Sequence, residues 1–242
     1  MSNPISNGRH VAVIGGSTGI GLAAAQRFVE RGDRVTIGGR DRERLAAALS
    51  VLGESARAIA VDGTDADSLR RFYAEAKTID DLIITVTRRG GAGPAAGLAD
   101  ADLLGAFAGK TVAHLVAVAL ALPMLATHGS ITLVTAGSAQ SALPGTAGLA
   151  AVNGALEAAI PALARELGPL RINAVSPGVI ETGWWDAVPE EARRETFSTF
   201  AQRAPVGRNG TAEDVAKAIN ALVENGFITG VVLPCDGGLR LT

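Results

Sequence analysis

The sequence predicts an α/β fold: a single doubly wound domain, its parallel sheet of about seven strands covered by helices on both faces. Three observations predict it. Short apolar strands alternate with amphipathic helices from one end of the chain to the other. Residues 11–21, VAVIGGSTGIG, run from a strand into a glycine-rich turn and on into an alanine-rich helix. No linker, repeat or low-complexity segment interrupts the 242 residues, so 1–242 is expected to be one domain.

The elements follow in order. Residues 10–14 form a short buried strand. Residues 22–31 form a helix stopped by Gly32, which suits the position just past a helix end. A strand at 34–37, a helix at 42–52 with apolar residues at helical spacing, a strand at 56–61 and a helix at 68–77 come next. The fourth strand, 82–86, leads into a Gly-rich loop at 89–97. Residues 100–125 read as a long helix with weak points at Gly105 and Gly109. Then come a strand at 130–135, a helix at 147–167 ended by Gly168-Pro169, and a strand at 171–175. After Pro177-Gly178 lies an irregular segment bearing Trp184 and Trp185, then helices around 189–202 and 212–224 and a last strand at 230–233.

Composition excludes several classes. Hydrophobic residues make up 48% and aromatic residues 4%, so the core is built from Ala, Val, Leu and Ile, with few rings to stack on bases. Net charge is −2 with the signs interspersed, and no basic stripe marks a nucleic-acid partner. Cys235 is the only cysteine, and His10, His114 and His128 lack ligand spacing, so neither a disulfide framework nor a metal site is expected. Residues 1–10 carry no apolar run of signal type. The most apolar stretch, 112–124, falls short of the ~20 residues that span a bilayer. A cytoplasmic location and no membrane partner are the expectations.

The turn carries the first chemical signal. Gly15, Gly19 and Gly21 let the backbone turn sharply and let a pyrophosphate approach with no Cβ in the way, while Ser17, Thr18 and Ile20 fill the loop. The following helix aims free N–H groups and its positive dipole end at that phosphate. The second strand ends in Gly38-Gly39-Arg40 rather than in a carboxylate. With nothing to repel a 2′-phosphate and a guanidinium to bind one, NADP(H) is expected over NAD(H). The alternative is that Arg40 is a solvated charge beside Asp41, the cap of the next helix.

Over nearly its whole length the chain resembles the classical short-chain dehydrogenase/reductase family. Gly15–Gly21, GGSTGIG, is similar to the family's Gly-x-x-x-Gly-x-Gly loop, with Ile14 where a Thr is usual. Val61-Asp62-Gly63 resembles the strand end whose Asp holds the adenine. Ile172-Asn173-Ala174-Val175-Ser176-Pro177-Gly178, with Ile180 and Thr182, resembles the segment that contacts the nicotinamide carboxamide. Pro205-Val206-Gly207-Arg208 and Thr229-Gly230 with Asp236-Gly237-Gly238 resemble its C-terminal signatures. The resemblance implies a Rossmann-type fold, NADP(H), a substrate lid at 183–210, a small-molecule substrate, and a homodimer or homotetramer built on the helices at 100–125 and 147–167. Those two helices are apolar around their circumference, which reads as burial.

The resemblance breaks where the chemistry belongs. The family uses Asn, Ser, Tyr and Lys. Its Tyr moves the proton, Lys lowers the Tyr pKa and holds the ribose, Ser polarises the carbonyl and Asn fixes a water relay. Here Leu149 falls at the Tyr position, Asn153 at the Lys position, Ala136 at the Ser position and Lys110 at the Asn position. The strand-four Asn-Asn-Ala-Gly becomes Ile84-Thr85-Val86-Thr87. The chain's one tyrosine, Tyr73, reads as a packing residue on the flank of the sheet. Lys110 and Asn153 look exchanged: Lys110 would bring a positive charge and an acid from the opposite helix, and Asn153 would bond the nicotinamide ribose. The plain alternative has Lys110 reaching solvent. Ser138 is either a substitute for the missing serine or an ordinary loop residue. Arg88 and Arg89 either meet an anionic ligand or are solvated. Trp184-Trp185 suits an apolar or planar ligand under the lid, or simple packing. Two functions stay open: an NADP(H)-dependent oxidoreductase with a non-standard active site, and an inactive relative serving as an NADP(H) sensor or partner subunit.

Overall fold

A computed structural model describes residues 8–242. The reading of residues 1–7 as lacking a signal lies outside the described residues. Strands β1 (His10–Ile14), β2 (Arg34–Gly39), β3 (Ala56–Ala60), β4 (Ile79–Ile84), β5 (Leu125–Val134) and β6 (Arg171–Pro177) alternate with helices α1 (Gly19–Glu30), α2 (Arg42–Leu52), α3 (Ala66–Ala76), α4 (Asp100–Phe107), α5 (Ala113–Ala121) and α6 (Ala147–Leu167). The chain ends with β7 (Ile180–Glu181), α7 (Glu190–Arg203), β8 (Gly210–Thr211), α8 (Ala212–Glu224) and β9 (Val232–Cys235).

Seven strands form one sheet in the order β3-β2-β1-β4-β5-β6-β9. Every pairing in it is parallel. The order reverses between β1 and β4, and in open parallel sheets the crevice for a ligand opens at that switch, beyond the carboxyl ends of the strands. A small parallel pair, β7 with β8, stands apart.

The two faces carry separate cores. Phe28 of α1, Leu45 of α2 and Ile219 of α8 pack with Val13 and Ile37 on one face. Phe72 of α3, Ala117 of α5 and Leu156 of α6 pack with Ile84 and Leu133 on the other. Tyr73 is buried there, its hydroxyl donating to the Ala117 carbonyl at 2.8 Å. Desolvation raises its phenol well above the ordinary range, so it holds its proton.

Several expected boundaries move. α2, α6 and α8 have the predicted limits, whereas α1 begins at Gly19 and β2 runs on to Gly39. The fourth strand begins at Ile79 and ends at Ile84, and β5 begins at Leu125. The long helix is interrupted near Gly109, where Ala108–Val112 forms a π-turn between α4 and α5, while Gly105 lies inside α4. The expectation from 112–124 that no stretch suffices to cross a membrane is also corrected: Asp100–Met124 and Ala147–Leu167 are both long and apolar enough. Both pack on the sheet, with Ala117, Val118, Ala121, Leu156 and Ile160 in its core. Nor are they buried all round: Leu104 is 68% exposed and Val112 51% in the first, and Ala151 and Ala162 are exposed in the second.

Replacing Tyr73 with Phe removes the side-chain donor to the Ala117 carbonyl. Stability to denaturant should fall by about 1 kcal/mol, with nucleotide affinity unchanged.

Candidate active site

The glycine loop is shaped by close contacts. A Cβ on Gly21 would lie 2.2 Å from the Gly15 carbonyl oxygen, and a Cβ on Gly15 would lie 2.3 Å from Thr85 Oγ1. The Thr85 hydroxyl reaches the Ile14 and Gly15 carbonyls at 3.2 and 3.1 Å, tying the end of β4 to the loop. Gly15 and Gly16 both donate to the Gly38 carbonyl, which ties in the end of β2. Gly19 has φ +55°, and the space its Cβ would take faces the Thr182 side chain at 3.6 Å. The loop, β4 and the segment after β6 therefore converge on one mouth.

Helices α2, α3 and α8 cap their own N-termini with Asp41, Asp65 and Thr211. α1 does not: Thr18 makes no side-chain cap and the first turn holds no acidic residue. The starts of α4 and α6 are uncapped too, so what sets α1 apart is the glycine turn before it; its N–H groups and positive dipole end can receive an anion. At the end of β2, a Cβ on Gly39 would lie 3.0 Å from Ser17 Oγ, so hydroxyl and backbone are neighbours. Arg40 is exposed, and its guanidinium joins no ion pair among the described residues. Asp41 is the cap of α2, accepting from the Glu43 and Arg44 amides.

Asp62 Oδ1 accepts from the Thr64 amide and hydroxyl at 2.9 and 2.7 Å. The amide bond is the first cause of its lowered pKa, and Arg40 adds to the effect. Gly63 faces Val86, which its Cβ would meet at 2.6 Å. Gly178 lies against Asp236, Ile180 is buried against Gly210, and Thr182 accepts from the Trp184 amide at 3.4 Å.

The other half of the crevice departs from several expectations. Lys110 does not reach solvent; it is 8% exposed, and its Nζ donates to the Thr135 carbonyl at 3.2 Å. Burial lowers its pKa to about 8, against an opposing pull from Glu157. The π-turn that carries it is fastened to α6 by Thr111 Oγ1, 2.7 Å from the Val152 carbonyl. Asn153 follows Val152, so the two exchanged positions sit on adjoining segments. Asn153 bonds Ser138 and Leu149 rather than Lys110: its Nδ2 donates to Ser138 Oγ at 3.3 Å and to the Leu149 carbonyl at 2.9 Å. Its Oδ1 is buried without a partner. Leu149 donates its amide to the Gly91 carbonyl at 3.1 Å, which docks the Gly-rich loop on the start of α6.

Arg89 is not free to meet a ligand. Its guanidinium lies 4.7 Å from the Trp184 ring centroid and donates to the Trp184 carbonyl. Arg88 lays its stem over Gly109. Trp184 and Trp185 pack edge to face, and Trp185 meets Phe197 at 5.4 Å. These contacts join the loop after β4 to the 183–210 segment. Sequence reasoning missed Thr135 and Glu157, and the bonds made by Thr85 and Ser176, because the partners lie on other elements.

These features define a class: a parallel α/β protein with a phosphate-shaped turn at the switch of its sheet. A family model described as enoyl-(acyl carrier protein) reductase matches residues 15–240. An oxidoreductase of Sarocladium schorii is 33% identical over 247 residues, covering 96% of each chain. The 3-oxoacyl-[acyl-carrier-protein] reductase of Bos taurus is 30% identical over 251 residues, covering 96% of this chain and 98% of its own. A solved small-chain dehydrogenase in complex with NADPH is 26% identical, with a TM-score of 0.85 over 97% of this chain and 99% of its own. The chain belongs to the short-chain dehydrogenase/reductase family.

A buried ammonium whose pKa falls from 10.5 to about 8 destabilises the fold while it is charged. That cost is full below the folded value and is relieved as pH rises between the two. Lys110→Met should therefore raise stability near neutral pH, by up to about 3 kcal/mol. The gain should shrink as pH approaches the unfolded value, and denaturation at the two pH extremes checks both.

Proposed function

We propose that the chain is an NADP(H)-dependent oxidoreductase acting on a small-molecule carbonyl or alcohol, with Lys110 in place of the family's phenol. The observation that carries this is the Lys110 ammonium, buried at the crevice with one of its N–H groups engaged by Thr135. An ammonium carries three donors, so acceptors are still wanted there.

The residues fit the cofactor. The uncapped start of α1 and the Gly15–Gly21 turn would take the pyrophosphate. Ser17, Gly39 and Arg40 would take a 2′-phosphate, with Gly39 rather than a carboxylate at the end of β2. By the family resemblance Asp62 and Gly63 would hold the adenine, and Pro177, Gly178, Ile180 and Thr182 would border the nicotinamide. The orphaned Oδ1 of Asn153 is an acceptor suited to a ribose hydroxyl. When bound, NADPH supplies a hydride to a carbonyl carbon.

The chain must then give the substrate oxygen a proton. Leu149 has none to give, and Tyr73 is committed to Ala117 on the flank of the sheet. Lys110 holds a proton at Nζ with a pKa near neutrality, as a general acid requires. Ser138 accepts from Asn153, which leaves its own O–H free to polarise the same oxygen. The hydrocarbon at Leu149 favours a second reading, a binding-only relative, and turnover decides between the two. The exposed Leu104, Val112 and Leu122 offer an apolar face for a second copy, in a homodimer or homotetramer.

Arg40→Asp should weaken NADPH binding by roughly 10–100-fold, as expected for one charge-assisted contact, and leave NADH binding equal or improved. Cofactor fluorescence titration reads both. An unchanged preference would remove Arg40 from the site. Tight NADPH binding with no NADPH consumption across a carbonyl panel would sink the oxidoreductase reading and leave the binding-only one.

A further inference from the structure

Glu157 lies one helical turn beyond Asn153 on α6. Its Oε1 accepts from Thr135 Oγ1 and Ser176 Oγ, both at 2.7 Å, and its Oε2 accepts from Gln140 Nε2 at 2.9 Å. One carboxylate thus gathers the end of β5, the end of β6 and the turn after β5. Thr135 is held from two directions: Glu157 takes its hydroxyl and Lys110 takes its carbonyl.

The charged and titratable neighbours of Lys110 are few. His114, one turn along its own helix, is buried, its ring nitrogen Nε2 bonded to the Val86 carbonyl. Burial and the Lys110 charge drive its pKa down to about 3, so it is neutral. Arg88, from the loop after β4, packs its stem over Gly109 and brings only positive charge. β5 contributes a carbonyl and a hydroxyl from Thr135. From α6 come the neutral Asn153 and the carboxylate of Glu157. Among these neighbours Glu157 is the one source of negative charge.

We infer that Glu157 is the positioning residue of Lys110: its carboxylate holds Thr135, whose carbonyl takes Nζ, and sets a negative charge in the surroundings of the ammonium. The inference deepens the proposed role of Lys110 as proton donor and rests on that reading only for its effect on turnover. Burial alone drives the ammonium toward the neutral amine, which has no acid proton to give. The carboxylate opposes that and, by fixing Thr135, fixes the carbonyl that aims Nζ.

The sequence holds three lysines, Lys77, Lys110 and Lys217, and the first and last are exposed. NMR of the intact protein with isotope-labelled lysine, titrated without cofactor, therefore distinguishes the one buried lysine. In Glu157→Gln the Lys110 midpoint should fall from about 8 by roughly a unit. In turnover with NADPH the alkaline limb of the pH profile should move down by the same amount, with little change in the KM for NADPH. An unmoved Lys110 midpoint overturns the inference. A midpoint that falls while the turnover limb stays put retains Glu157 as the group that holds the charge and removes Lys110 as donor. Should Glu157→Gln fail to fold, Glu157→Asp carries the test: the shorter side chain draws the charge back, so the midpoint still falls, by less, and a static midpoint is again fatal.

Discussion

Helix α1 meets strand β1 with no room for a side chain between them. A Cβ on Gly21 would sit 2.2 Å from the Gly15 carbonyl oxygen, inside any permitted contact. This approach sets the rest of the site. It turns the start of α1 toward the crevice with its amides uncapped. It brings the Gly15 carbonyl under the Thr85 hydroxyl, so the end of β4 is fixed to the same turn. Because β1 lies between β2 and β4, fixing this turn fixes both walls of the switch point.

What local sequence could reveal follows from how far each residue's partners lie along the chain. α2 was legible because its cap, Asp41, and its stop, Gly53, adjoin it. The glycine turn was legible because its strand and helix are contiguous. The start of β4 was not: Asp80 and Asp81 look like loop residues. Yet Asp81 is buried, held by Arg9 before β1 and by Ser130 on β5. Lys110 stayed open between crevice and solvent for the same reason. On its own helix it reads as a polar residue facing water. Its partner carbonyl, on Thr135, lies on another element 25 residues away. Glu157 gave no signal at all, since an acidic residue on a long helix usually means a solvated face.

The nucleotide half and the chemical half of the crevice are supported by different means. The first depends on backbone: glycines, free amides and a strand that ends without a side chain. The second depends on side chains from four elements meeting around Thr135. Backbone features survive substitution elsewhere in the chain. A side-chain constellation can be rebuilt by moving a charge from one helix to the next, and the positions of Lys110 and Asn153 have that form.

Two buried polar groups show how a structural residue is told from a functional one. Tyr73 has its single donor engaged by the Ala117 carbonyl. Lys110 is buried to a similar degree but gives one of three donors to Thr135. On the adjoining helix Asn153 keeps an orphaned acceptor. Burial with complete pairing stabilises a core. Burial with donors and acceptors left open costs stability unless water or a ligand completes them. The open groups are of opposite kind, donors on the Lys110 ammonium and an acceptor on the Asn153 amide, and the proposed reading assigns them separately, the first to a substrate oxygen and the second to a ribose hydroxyl.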